Sequence, residues 1–305
     1  MPNQALVADP DAPGAIRLTT VADPQPGPDQ VVVEVAHASA NYGELRYLRY
    51  QAPGMVLGFD AAGTVVHAAA DGSGPAVGSR VVAFGPGAWA RRVAFGVHNV
   101  AVVPDEVDLV DAAALPMIGL TALRVLRSLG SVLGRRLLVT GASGGVGRCA
   151  VQLAALSGAS VVAVSGDPDN APALRALGAE EVVTSVDAVE GQVDGVLETV
   201  GGPTLMAAWH KLAPGGQLHS IGWASNEPVT LETNAFFALG RSKTLHSAGD
   251  VTDPAPDLAL LVSLVQKGRL SPEIGWRGPW TEVATAADAL FDRRIPGKIV
   301  LDVKD

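Results

Sequence analysis

Short apolar, β-branched runs separated by glycine and proline fill the first third of the chain. The clearest are VVVEVAHAS (31–39), AGTVVHAAA (62–70), SRVVAF (79–84), ARRVAF (90–95) and VAVVP (100–104). Turn clusters such as PQPGPDQ and DGSGPAVG lie between them. Short strands with frequent turns predict a barrel or sandwich. The rhythm changes after Pro104. DEVDLVDAAALPMIGLTALRVLRSLG (105–130) sets apolar residues at helical spacing, with Pro116 interrupting it. Strand and helix then alternate. RLLVTG, SVVAVS, EEVVTS, DGVLETV and QLHSIGW read as strands, and VGRCAVQLAALSG, PALRALG and LMAAWHKL as helices. This alternation predicts an α/β region with a parallel sheet covered on both faces. IPGKIVLDV (295–303) is a last strand, which either extends that sheet or returns to the first region.

LLVTGASGGVG (137–147) stands where the first strand of the alternating region meets its first helix. Ala142-x-Gly144-x-x-Gly147 is a dinucleotide fingerprint with Ala in the first place and Gly141 before it. Gly144 lets the backbone approach a pyrophosphate, and Gly147 lets the helix pack closely on the strand. Amides of Gly141, Ala142, Ser143, Gly144, Gly145, Val146 and Gly147 are the expected phosphate cradle, aided by the positive end of the helix. A full βαβ unit follows, as such a site requires. The second strand ends at Ser165, whose hydroxyl does not repel a 2′-phosphate and can donate to it, which leans toward NADPH. Asp167 can instead hold a ribose, so NADH stays open; Asn170 lies beside it. Thr199, Val200 and Gly201, and then Ile221 and Gly222, fall at the carboxyl ends of later strands, where ligands of such sheets bind.

Composition narrows the function classes. Apolar residues make up 48% of the 305, and the formal net charge is −9. The mean hydropathy is +0.27 and the sequence pI about 5.1. An acidic chain without a Lys/Arg block is a poor nucleic-acid partner. No stretch of about 18 or more uncharged apolar residues suggests a membrane span. The amino-terminal residues lack the basic and apolar regions of a secretory signal, so a cytoplasmic protein is expected. A single cysteine, Cys149, excludes an internal disulfide and a four-thiolate zinc site. His67, His98, His210, His219 and His246 share no metal spacing and read as structural.

Taken in order, VVVEVAHASANYGELR, LGFDAAGTVV, VGSRVVAF, AALPMIGLTALRVL, VTGASGGVG, LGAEEVV, DGVLETVGG, LAPGGQLHSIG and PGKIVL resemble the medium-chain dehydrogenase/reductase superfamily. Within it they resemble the zinc-independent quinone oxidoreductase and enoyl reductase branch. The resemblance implies an α/β protein with a GroES-like β-barrel domain over 1–105, completed by about 255–305. A Rossmann doubly wound parallel-sheet domain would fill 106–254. It also implies a homodimer and a small-molecule acceptor. Asn41 and Tyr42 match the family's Asn-aromatic pair near the nicotinamide. An amide can donate to an oxyanion and a phenol can donate a proton. Together with Tyr47 these are the expected catalytic residues. Thr121 and Lys298 are expected on the cofactor side. The metal ligands of the zinc-dependent members have no match: ASANYGE replaces their cysteine segment, and Gly58-Phe59-Asp60 lacks their histidine. The expected activity is therefore zinc-independent NAD(P)H-dependent hydride transfer to a quinone or an α,β-unsaturated carbonyl. Two other readings stay open. One is a cofactor-binding protein without turnover, and the other a biosynthetic reductase acting on a polyketide-like intermediate.

Overall fold

The VVVEV run lies inside an eleven-residue strand, Gln30–Ala40, around which the first part of the chain is built. The computed structural model describes residues 1–237 and 240–303. It divides into two units, Met1–Leu120 with Val251–Asp305, and Thr121–Asp250.

In the first unit, β1 (Asn3–Ala8) and β2 (Ile16–Val21) form an antiparallel pair. They are followed by β3 (Gln30–Ala40), α1 (Tyr42–Arg46), β4 (Asp60–His67), β5 (Arg80–Phe84), β6 (Arg92–Gly96) and β7 (Val100–Val102). α2 (Leu109–Ala114) and α3 (Pro116–Ser128) come next, parted at Pro116 as the sequence pattern predicts. A proline at the start of a helix gives up an amide that has no partner there. The changeover between units falls inside α3 rather than at residue 106, because α2 packs on β3, β4 and β5. Val110 and Ala114 of α2 share a buried cluster with Val300 from the far end of the chain.

The second unit holds β8 (Arg136–Val139), α4 (Gly145–Leu156), β9 (Ser160–Val164), α5 (Ala171–Ala176), β10 (Glu181–Val183), β11 (Val193–Glu198), α6 (Gly202–Lys211), β12 (Leu212–Ser220) and β13 (Thr244–Ser247). Its sheet runs β10-β9-β8-β11-β12-β13 with every pair parallel. Leu137, Leu138, Val139, Val161, Val196 and Leu197 have no exposure, as strands covered on both faces require. The order reverses between β8 and β11. That is the point where doubly wound sheets bind ligands beyond their carboxyl ends.

The chain then returns to the first unit as α7 (Ala255–Gln266), β14 (Ile274–Pro279), α8 (Val283–Phe291) and β15 (Lys298–Asp302). The seven-stranded sheet there runs β14-β15-β3-β4-β5-β7, with β6 also on β3. The IPGKIVLDV strand thus joins the first sheet, between β14 and β3. Among the described residues, no helix is long and apolar enough to cross a membrane.

β12 and the edge strand β13 place His219 beside His246. The rings stack with centroids 4.7 Å apart. His219 is 3% exposed, and burial, with His246 second, lowers its pKa to about 4. A histidine lowered in this way contributes stability above its unfolded pKa of about 6.5, and that stability is lost as pH falls toward 4. Thermal melts between pH 7 and 4 should show this acid-side loss, and it should shrink in His219→Gln.

Candidate functional site

The loop after β8 has the backbone a phosphate cradle needs. Gly141 has φ +57°, open to glycine at little cost. A Cβ on Gly147 would lie 2.3 Å from the Gly141 carbonyl oxygen and 2.6 Å from the Ala142 Cα, so α4 starts against the loop itself. Gly144 differs. Its φ is −79° and a Cβ there would meet only the Gly141 oxygen, at 3.4 Å. Gly144 is exposed, and the first-turn amides of α4, on Gly145, Val146 and Gly147, have no carbonyl behind them in the helix. Open space, unused amides and the helix dipole together fit a pyrophosphate.

Glu198, at the end of β11, holds the neighbouring loops in place. Its carboxylate has no exposure. It accepts from Thr140 Oγ1 (2.9 Å), Val200 N (2.9 Å) and Gly201 N (2.9 Å). Burial raises its pKa against the pull of these donors. Thr140 also accepts from Thr199 N (3.0 Å), and its carbonyl takes the Thr199 hydroxyl (2.8 Å). The Glu198 carbonyl accepts from Ile221 N (2.7 Å). One residue thereby ties together the segments after β8, β11 and β12, and brings Gly141, Thr199, Val200, Gly201, Ile221 and Gly222 to one end of the sheet. Thr121 lies in α3.

At the end of β9 the outcome differs from expectation. Ser165 is 2% exposed and donates its hydroxyl to the Asp167 carbonyl (3.0 Å), so that proton is not offered to a 2′-phosphate. Asp167 is exposed and caps the next turn through Asp169 N. Asn170 accepts from Arg148 Nη2 (3.1 Å), while Arg148 Nε donates to the Ser143 carbonyl (2.9 Å). Arg148 thus braces the glycine loop against the β9 end. Cys149, on α4, is buried and its thiol is pushed up to about 12, which leaves it an unreactive core group.

The first unit contains a second polar centre. Asp60 opens β4 with no exposure. Its Oδ2 accepts from Ser39 Oγ (2.8 Å), Asn41 Nδ2 (2.9 Å) and Lys298 Nζ (3.2 Å), and its Oδ1 from Met117 N (3.0 Å). Lys298, expected beside the cofactor, is 2% exposed and gives its other two hydrogens to Ala40 O (3.2 Å) and Asn41 Oδ1 (2.6 Å). All three ammonium hydrogens are taken within its own unit. Asn41 is likewise occupied. Its second amide hydrogen goes to Glu44 Oε2 (2.6 Å), so the side chain expected to meet an oxyanion instead holds the turn before α1. Tyr42 follows directly, its ring edge-on to Phe291 with centroids 5.4 Å apart. Tyr47 is 48% exposed and lies against Tyr50 on the surface.

Sequence reasoning passed over Asp60, Glu44 and Arg148 as functional residues. A signal existed for Asp60. It is a carboxylate within an otherwise apolar strand run, and such groups stay buried only when paired or hydrogen-bonded.

The model of the alcohol dehydrogenase GroES-like domain matches residues 27–105, and that of zinc-binding dehydrogenases matches 145–261. The chain belongs to the medium-chain dehydrogenase/reductase superfamily. It is an oxidoreductase of that class, and its neighbours in the family imply a nicotinamide cofactor. It is 32% identical to the spectinabilin polyketide synthase system protein NorB of Streptomyces orinoci, over 90% of this chain but 13% of that protein. It is 25% identical to acryloyl-coenzyme A reductase of Sulfurisphaera tokodaii, over 93% of this chain and 96% of that one. With the chloroplast envelope quinone oxidoreductase homolog of Arabidopsis thaliana it shares 30% over 65% and 64% of the two chains. The fold is that of the quinone oxidoreductase from Coxiella burnetii, with a TM-score of 0.86, 24% identity and full coverage of both chains.

The second family description raises the question of zinc. Among the described residues, no group of three or more His, Cys, Asp and Glu side chains could hold a metal ion. Asp60 and Glu44 share their cluster with the Lys298 ammonium. These residues do not fit a zinc ion.

The glycine loop carries two predictions and the Asp60 cluster a third. Gly147→Ala forces a Cβ into backbone and should cost about 1–3 kcal/mol, read as a lowered melting temperature. Gly144→Ala should melt as the parent does yet bind NADH or NADPH at least about tenfold more weakly, read by fluorescence titration, because its methyl fills the approach to the pyrophosphate. In the first unit, Lys298→Met strands a buried carboxylate. It should destabilise by about 3–5 kcal/mol in denaturant unfolding, and adding Asp60→Asn should recover most of the loss.

Proposed function

We propose that this chain is a zinc-independent reductase of activated double bonds that acts on an α,β-unsaturated carbonyl, with an enoyl thioester as its main substrate and quinones as further acceptors. The observation that carries this reading is the end-to-end match to acryloyl-coenzyme A reductase, 93% of one chain on 96% of the other. The similarity to a quinone oxidoreductase homolog supports the wider acceptor range. The match to NorB favours, as a second reading, a thioester of polyketide type.

When bound, the nicotinamide supplies the hydride for the β-carbon. The residues of the chain do the rest. The glycine loop and the first turn of α4 hold the pyrophosphate. Negative charge then grows on the substrate carbonyl oxygen, and a donor there lowers the barrier. We assign that donor to the Tyr42 hydroxyl, the phenol of the Asn-aromatic pair; both amide hydrogens of Asn41 serve the turn and Asp60. Asn41 fixes the turn from which Tyr42 projects. On the adenosine side, the inward Ser165 removes the reason for preferring NADPH. The exposed Asp167 suits a ribose 2′-hydroxyl and repels a 2′-phosphate. The reading is therefore NADH.

The test is steady-state oxidation of NADH and NADPH with acryloyl- or crotonyl-coenzyme A, an enone and a naphthoquinone. Turnover of the thioester with NADH, and a shift of at least about tenfold toward NADPH in Asp167→Ser, is the expected result. Tight dinucleotide binding with no oxidation by any acceptor would overturn it and favour a cofactor-binding protein without turnover.

A further inference from the structure

Glu44 has no part in the reduction as set out above, yet it is the most unusual carboxyl group in the first unit. It is the third residue of α1, and its Oε2 accepts from both Asn41 N (2.9 Å) and Asn41 Nδ2 (2.6 Å). Its Oε1 is buried and has no hydrogen-bond partner. Asp60, on β4, faces the Asn41 Nδ2 amide (2.9 Å), and Lys298, on β15, is the one cation facing the pair among the described residues. Among those residues no other charged group answers Glu44. α8, packed on α1, presents Phe291, and its single acid, Asp288, is exposed. Arg46 of α1 and Arg49 of the following turn are exposed as well.

One ammonium can balance one carboxylate. Asp60 takes the Lys298 ammonium and three further donors, and among the described residues Glu44 has no ion pair of its own. As the neutral acid, Glu44 would keep Oε2 as the acceptor of both Asn41 donors. In that form the cluster is electrically balanced and both Asn41 hydrogens are accepted. Removing the proton places a second negative charge beside Asp60, offset only by the two Asn41 donors and by the Lys298 ammonium that Asp60 already shares.

We propose that Glu44 is a positioning residue whose protonated carboxyl holds the Asn41–Tyr42 turn in its working geometry, so that losing this proton releases the turn and switches acceptor reduction off at alkaline pH. The proposal rests on the reading of Tyr42 as the acceptor-side donor. Burial, with Asp60 second, raises the Glu44 pKa to about 8, which sets where the switch falls. Stability from this group is complete below its ordinary value of 4.5 and is lost as pH rises through about 8.

The experiment uses the full chain with NADH and crotonyl-coenzyme A between pH 6 and 10. kcat/KM should fall at least about tenfold with a midpoint near pH 8. Glu44→Gln keeps an amide oxygen for the two Asn41 hydrogens but cannot ionise, so its profile should lack that fall. A merely structural cap would instead lower activity alike at every pH. An unchanged alkaline midpoint in the variant overturns the proposal. Hydrogen exchange of the parent protein, corrected for intrinsic pH dependence, gives a readout free of activity. Amides of 41–46 should lose protection between pH 7 and 9, and retained protection overturns the proposal even if the variant fails to fold. If no acceptor is reduced at any pH, the proposed reductase function fails, while the exchange measurement still decides the switch.

Discussion

Asp60 is a carboxylate with no exposure, held by four donors from three segments of the first unit: Ser39 and Asn41 at the end of β3, Met117 on α3 and Lys298 on β15. A buried carboxylate left without its partners is costly, so this cluster ties the three segments to one another. This couples residues more than two hundred positions apart in the chain. β15, which pairs with β3 and buries Ile299, Val300 and Leu301, also carries the ammonium that meets Asp60. The turn that leads into Tyr42 takes its geometry from the same cluster.

Glu198 plays the corresponding part in the second unit. Its carboxylate gathers Thr140, Val200 and Gly201, and its carbonyl gathers Ile221. Loops that follow three different strands are thereby held at the end of the sheet where the strand order reverses. The glycine loop is then braced from its other side by Arg148 through Ser143 and Asn170. Each unit therefore has one buried carboxylate on a strand end that organises the loops around it. A network of this kind is strong when complete and costly when one member is removed.

The element pattern was legible where one physical signal dominated. Alternating strand and helix over 136–220 announced the parallel sheet, because strands covered on both faces must be apolar throughout. The fingerprint was legible because only glycine fits where α4 meets the loop at Gly147. β14, IGWRGP, was not read as a strand. Its two glycines and proline argue against one, and only the pairing with β15 makes it so. β13 escaped for a similar reason: its four residues are all exposed on a sheet edge, so no hydrophobic pattern marks it.

Residue roles divide along the same line. Sequence alone determined the family, the two kinds of sheet and the glycine loop between β8 and α4, because these depend on local periodicity and on short-range steric demands. It named Asn41, Ser165 and Lys298 as ligand-facing from their positions in motifs. Tertiary structure decided what their donor hydrogens do: Asn41 and Lys298 serve Asp60 and its neighbours, and Ser165 serves the Asp167 carbonyl. Hydrogen bonds between residues far apart in sequence leave no periodic trace, and a buried charge finds its partner only once the sheets have formed.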